Sequence, residues 1–305
     1  VKAIIRSPAS RRKVIPTVRT WPTETIELAS GVFAYVQATG GFCIANAGLI
    51  DAPAGATAID ALFSPAMTRA FLDEVRDLTK SPVARLINTH HHVDHTLGNA
   101  LFPRETEILA HARAKAEMER VGWSPALQAL LIRMAPHFAN ELDDASLRLP
   151  DATFDGSSLE LEIGAHRVRL LHFGTGHTRG DVLVHLPDAG VLFAGDVAFF
   201  NVTPLAFEGH IGRWIDVCDR VLAMDNVEAI IPGHGPAGTK DDLRAMQRYL
   251  RLVHDGARRA FDAGASHEEA ERNIDLGEYA VWNEAERLTP NVARCYQEFR
   301  GAIED

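Results

Sequence analysis

Cysteine is scarce: three occur in 305 residues, at Cys43, Cys218 and Cys295. Odd in number and scattered, they form neither a disulfide framework nor a cysteine-based zinc site, so buried free thiols in a reducing compartment are expected. No apolar run is long enough to cross a bilayer, so no membrane partner is expected. Positive charge is also short. Lys and Arg number 31 against 41 Asp and Glu, a formal net charge of −10. Non-specific nucleic-acid binding needs a basic footprint, and the chain does not have one. There is no long repeat and no low-complexity segment. Nothing near the start reads as a signal peptide. A cytoplasmic location is the expectation, and a periplasmic one stays open because a chain that starts at Val1 rather than Met can be a trimmed form from which a signal peptide was removed.

What is present is an ordinary globular composition, 46% hydrophobic and 24% charged. The length suffices for one large domain or two small ones. Residues 1–24 hold Lys2, Arg6, Arg11, Arg12, Lys13 and Arg19 among three prolines and read as an irregular, solvated basic arm. Strand-like runs follow at 25–37, 41–50 and 57–62. Ser64-Pro65 has a helix-start pattern, and Met67, Phe71, Val75 and Leu78 share one helical face. Strands are expected at 83–88 and 107–110, and a helix at 112–120. Residues 125–142 are helical in period through Leu127, Leu130, Leu131 and Met134. They interrupt the strands, so 118–148 reads as a helical insertion, either a lid beside a site or a plain surface hairpin. Strands resume at 158–163, 167–173, 181–186, 191–194 and 227–231. Thr239 with Asp242 predicts a capping box for the next helix, and Ser266 with Glu269 predicts another, opening a helical extension over 265–305. This α/β alternation favours helices covering sheets.

The chemistry concentrates in Thr89-His90-His91-His92-Val93-Asp94-His95-Thr96-Leu97-Gly98-Asn99. Imidazole and carboxylate together suit a borderline-soft cation such as zinc. His90 and His92 lie two apart and point the same way in an extended segment. Asp94 and His95 are adjacent and diverge in a following turn, so one loop can start two metal sites. Three later segments each follow an apolar strand and sit beside glycine: Gly176-His177, Gly195-Asp196 and Gly233-His234-Gly235. Such strand ends commonly carry functional side chains.

The pattern His-x-His-x-Asp-His, followed in order by His177, Asp196 and His234, resembles the signature of the metallo-β-lactamase superfamily over roughly residues 25–264. The resemblance implies an α/β fold, a four-layer αββα sandwich with the site at one sheet edge. It implies His90, His92 and His177 on one metal, Asp94, His95 and His234 on a second, and Asp196 bridging both. Two Zn2+ per chain would stand about 3.5–4 Å apart with a hydroxide between them. Asp rather than Cys at 196 resembles the glyoxalase II-like thioesterases and the lactonases more than some true β-lactamases. His92 stands where flavodiiron-type relatives place a carboxylate, which favours zinc hydrolysis. Persulfide dioxygenases keep a similar pattern, so a non-haem iron (Fe) oxidoreductase is the alternative. The implied reaction is attack of the hydroxide on a small-molecule ester, lactone, thioester or β-lactam, with Asp94 as the catalytic residue orienting the nucleophile and passing on a proton. A metal-binding scaffold is disfavoured by retention of every ligand, and a nuclease by the acidic charge.

Secondary candidates follow. Asp60 matches a position that holds the first metal loop, with a capping role as the alternative. His210, Phe199 and Asn201 are candidates for substrate contact, with core packing as the alternative for the ring. His91, between two ligands, is expected to point away and be structural. In such families the C-terminal tail either shapes the pocket or makes a homodimer contact, and the sequence does not choose.

Overall fold

The structure is a computed structural model that describes residues 22–143 and 145–303. The basic arm expected over 1–24 lies outside the described residues except for its last three. Seven strands make the first sheet in chain order: β1 (Glu24–Ala29), β2 (Val32–Val36), β3 (Ala47–Ile50), β4 (Ala56–Ile59), β5 (Val83–Ile87), β6 (Glu107–His111) and β7 (Ala152–Phe154). Pairing is antiparallel from β1 to β4 and parallel from β4 to β7. The second sheet contains β8 (Ser158–Ile163), β9 (His166–Leu171), β10 (Leu183–Leu186), β11 (Val191–Phe199) and β12 (Ala229–His234), in the order β12-β11-β10-β9-β8. Only β11 and β12 pair in parallel within it.

The described residues form eight α-helices: α1 (Pro65–Leu78), α2 (Val93–Thr96), α3 (Ala112–Val121), α4 (Pro125–Met134), α5 (Ile211–Leu222), α6 (Lys240–Asp262), α7 (His267–Asn273) and α8 (Leu288–Phe299). Three apolar clusters define the layers. Met67, Phe71 and Val75 of α1 and Leu131 of α4 pack with Leu49, Ala58 and Leu86 of the first sheet. Ile50, Ile59 and Ile87 meet Val184, Phe193 and Ile231 between the sheets. Trp214 of α5, Leu243 and Tyr249 of α6 and Val292 of α8 cover the outer face of the second sheet. The order is therefore helix, sheet, sheet, helix, the expected αββα sandwich. Each fully buried large apolar side chain contributes on the order of 1.5–3 kcal/mol.

Local chemistry explains most boundaries. Ser64 accepts a bond from Met67 N at 3.2 Å and starts α1. Both predicted capping boxes form, at Thr239/Asp242 and at Ser266/Glu269. Several boundaries differ from expectation. The single run over 25–37 is a β1–β2 hairpin, turned at Gly31 with φ +72°. The strand expected from 41 starts at Ala47, because Cys43 has a left-handed backbone (φ +62°) that breaks extension. The helix expected through 142 ends at Met134, and Pro136 opens a short 3-10 turn instead. β11 runs five residues past its expected end, through Asp196 to Phe199, and every residue of it is buried. All three cysteines are free and buried. Among the described residues no helix is long and apolar enough to cross a membrane.

Candidate metal centre

The carboxyl ends of parallel strands from both sheets meet at one place. Asp60 follows β4, the His90–His95 loop follows β5, Asp196 lies within β11 and His234 ends β12. His177 comes from the loop after β9. Side chains of Asn88 and Asn99 exchange two hydrogen bonds of 3.0 and 2.8 Å and close the base of the first loop. Val182 N donates to Thr89 O at 2.7 Å, tying the second sheet to that loop.

The predicted residues fall into two groups. His90, His92, His177 and Asp196 form one, and Asp94, His95 and His234 the other, with the candidate ligand atoms of each group within 4.8 Å of one another. In the first, His92 Nδ1 lies 3.1 Å from His90 Nε2 and 2.9 Å from His177 Nε2. Asp196 Oδ2 is 3.2 Å from His177 Nε2 and 3.8 Å from His90 Nε2. Asp196 also reaches the second group, with Oδ1 3.0 Å from His95 Nε2 and Oδ2 3.6 Å from His234 Nε2. Asp94 Oδ2 is 3.2 Å from His234 Nε2. Ligand atoms on one tetrahedral zinc stand about 3.3 Å apart, so these separations match a shared ion.

Tautomers assigned through the hydrogen-bond network sharpen the fit. Asp60, 3% exposed, accepts from Thr89 N at 2.8 Å and from Thr89 Oγ1 at 2.7 Å. With its proton spent on Asp60, the Thr89 hydroxyl can only accept from His90 Nδ1, 3.1 Å away. His90 Nε2 is then a bare lone pair. His92 Nε2 donates to Glu208 Oε2 at 2.8 Å, so His92 Nδ1 is a lone pair too. His95 Nδ1 donates to Asp60 Oδ2 at 2.8 Å, so His95 Nε2 is the nitrogen that faces Asp196. His95 Nε2 and Asp196 Oδ1 are both buried without a hydrogen-bond partner. These facing groups need positive charge between them, supplied by a proton or by a metal ion. The donor set of imidazole and carboxylate fits a zinc-like cation.

Burial and neighbouring carboxylates pull the rings in opposite directions, and the Glu208 contact raises His92 against burial. Burial pushes His90 well down, and His95 adds to the shift. Burial pushes His177 down to about 4. Burial opposes charge on His95 as well, yet Asp196 and Asp60 outweigh it and hold its pKa well above the ordinary value. The Asp196 carboxyl resists burial through His234, His95 and His177 and stays well below the usual range. Asp94 is likewise held low against burial by His234 and His95.

The secondary candidates separate. Phe199 borders the cavity over the centre and stacks on His234, with centroids 5.1 Å apart and planes at 5°. Asn201 is an exposed turn residue with φ +57°, and its carbonyl accepts from Asn283 N. It does not line the cavity. His210 does not line it either. Its ring caps α5 by accepting from Arg213 N and faces Glu298 at 3.3 Å, while its backbone N–H bonds Gly176 O beside His177. Both placements have one cause: a turn and a helix cap, rather than position between ligand segments, set where these residues face. His91 joins neither ligand group of the predicted set, but it does border the cavity and meets Glu208 Oε2 at 3.1 Å.

Glu208 was missed by the sequence reading. Its only signal was an acidic residue in a glycine-containing loop between two ligand segments. Burial would raise its carboxyl, but hydrogen bonds from His91 and His92 hold it well below the usual range. The C-terminal extension adds Arg287 and Pro290 to the cavity wall.

Comparison with known proteins bears on this geometry. The chain is 26% identical over 194 residues to the 2,4-dinitroanisole O-demethylase subunit alpha of Nocardioides sp. (strain JS1661), covering 61% of this chain and 51% of that protein. It is 30% identical over 182 residues to a hydroxyacylglutathione hydrolase of Synechococcus sp. (strain JA-3-3Ab), covering 58% of this chain and 59% of that protein. The chain thus spans little more than half the length of these relatives. Among solved structures, the inverting sec-alkylsulfatase Pisa1 from Pseudomonas sp. superposes with a TM-score of 0.74 at 17% identity, over 92% of this chain and 50% of that one. TMB-1 superposes with a TM-score of 0.58 at 21% identity, over 75% of this chain and 97% of that one. The family profile described as the metallo-beta-lactamase superfamily matches residues 40–236. With that match, the αββα sandwich and a His/Asp cluster able to hold metal, this chain belongs to the metallo-β-lactamase superfamily.

Proposed function

We propose that the protein is a metal-dependent hydrolase that binds two zinc ions and cleaves a carbonyl substrate, an ester, lactone, thioester or β-lactam. The convergence of buried imidazole nitrogens from His90, His92, His177 and His95 around the Asp196 carboxylate carries this reading. His90, His92 and His177 would hold one ion and Asp94, His95 and His234 the other, with Asp196 within reach of both groups. The bound ions supply Lewis acidity and a water acidified toward neutral pH.

The chain's own groups do the rest. Asp60 holds the His90 and His95 rings through Thr89 Oγ1 and its own Oδ2. Glu208 holds His92 from the outside. Asp94 borders the cavity as an ionised carboxylate, so its oxygens can accept a proton from the attacking water and return it to the leaving group. Phe199 screens the His234 side of the centre from water. The hydroxyacylglutathione hydrolase relative supports hydrolysis as the reaction type.

The test is a panel of ester, lactone, thioester and β-lactam substrates assayed before and after chelation. The expected result is hydrolysis of at least one class, abolished by chelator and restored by zinc. Hydrolysis indifferent to chelation would contradict it, as would activity restored by ferrous iron alone and coupled to oxygen uptake.

A further inference from the structure

Above the metal centre lies a cavity of about 550 Å³, a volume in the range that holds a small organic ligand. Its walls have an unusual relation to the rest of the surface. Five large hydrophobic residues are exposed among the described residues: Val121 (37%), Leu130 (39%), Met134 (52%), Phe207 (53%) and Val281 (86%). Four of the five, all but Val281, line this one cavity.

The sequence of α4 shows how this arises. Leu131 is buried in the core, with Leu127 packed against it. Leu130 and Met134, four residues apart, form a neighbouring ridge that the core does not use. A helix whose purpose was only to close the surface would carry polar residues there. Phe207 lines the same cavity and stacks on His92, with centroids 5.1 Å apart. The apolar wall thus runs from the solvent edge down to a metal-ligand candidate.

The charges bordering the cavity are already engaged. Arg120 pairs with Glu117 and Glu208, and Arg287 donates to Thr203 O and lies 3.2 Å from Glu284. Both guanidiniums already have carboxylate partners within the chain. We propose that the substrate carries an aliphatic hydrocarbon chain beside its reacting carbonyl, and that Val121, Leu130, Met134 and Phe207 select it by removing that chain from water. The proposal rests on the hydrolase reading for the reacting group, but not for the chain.

Calorimetric binding of sodium butyrate, hexanoate and octanoate to the purified protein tests it, because the headgroup is constant and only the chain varies. Affinity should rise by up to roughly fourfold per methylene, the worth of a buried CH₂. In the double variant Leu130→Gln/Met134→Gln the rise should flatten. Both residues are partly exposed, so the change leaves no core cavity. Val281→Gln, outside the cavity, should keep the wild-type slope. Equal affinities across the wild-type series would overturn the proposal. A flat series in a dimer that the double variant dissociates would overturn it too, in favour of a second copy covering the ridge. Chain-dependent binding with no hydrolysis of the matching p-nitrophenyl esters would sink the proposed reaction and leave the ligand class standing. Hydrolysis with no preference for the longer ester would do the reverse.

Discussion

Glu208 Oε2 sits 2.8 Å from His92 Nε2, on the far side of the ring from the nitrogen that faces His90 and His177. The contact fixes which nitrogen of His92 is free to bind metal. Partners of this kind are worth about 10–100-fold in metal affinity. Glu208→Ala should therefore weaken zinc binding by about that factor in chelator competition, and Glu208→Gln, which keeps an acceptor, by less. Equal affinity in all three proteins would remove Glu208 from the account.

Asp60 performs the same service for two rings at once. It accepts from Thr89 N, Thr89 Oγ1 and His95 Nδ1 while fully surrounded by protein. Asp60→Ala leaves these donors buried and unpaired, at a cost of about 1–3 kcal/mol for such a group. Chemical denaturation of the metal-free protein should show that loss. A variant as stable as wild type would mean that water reaches the space and replaces the carboxylate.

Gly233 offers a sharper steric test. A Cβ there would fall 1.8 Å from Asp196 Oδ1, the oxygen aimed at His95. Gly233→Ala must push the carboxylate out of place or move the β11–β12 contact. The expected outcome is reduced metal content together with about 1–3 kcal/mol of lost stability, as for other overpacked sites. Full metal loading at wild-type stability would contradict the close packing described.

Glu298 on α8 gives a pH prediction away from the metal. Its carboxylate accepts from Ile211 N and Gly212 N at the start of α5, with His210, His254 and Arg294 nearby. Burial pushes its pKa up to about 7, whereas an unfolded Glu titrates near ~4.3. Between these values the folded state holds a proton that the unfolded state has lost. Stability from this group is complete below the unfolded value and falls as pH rises toward the folded one, by up to about 4 kcal/mol. Denaturant midpoints of Glu298→Gln should fall less over that window than those of wild type. Parallel pH profiles would show that Glu298 is ionised throughout.

Legibility in the sequence followed the physics of each feature. The αββα layering was readable because strand and helix periods alternate and because Ser64, Thr239 and Ser266 carry cap chemistry. The two ligand groups were readable because a metal needs scarce residue types at strand ends, and His90 through His95 concentrate them. Asn201 and His210 lie away from the cavity lining because a left-handed turn and a helix cap, both local, decide where those residues face. Glu208 was hidden for the opposite reason. Its role depends on a loop more than a hundred residues from His92 folding over the site, which no local pattern records. The apolar ridge of α4 was visible as Leu130 and Met134 in a helical period, but only packing shows that Leu131 takes the core and leaves that ridge facing the cavity.

Elemental analysis of metal per chain, on wild type and on Asp196→Ala prepared without added metal, tests the central claim most directly. Asp196 is the residue that both candidate groups share, so its loss should strike both. The account predicts about two zinc ions in the wild type and a clear drop in the variant, with the far-ultraviolet circular dichroism unchanged. A wild-type protein holding a single iron, or a variant that keeps its full metal content, would contradict it.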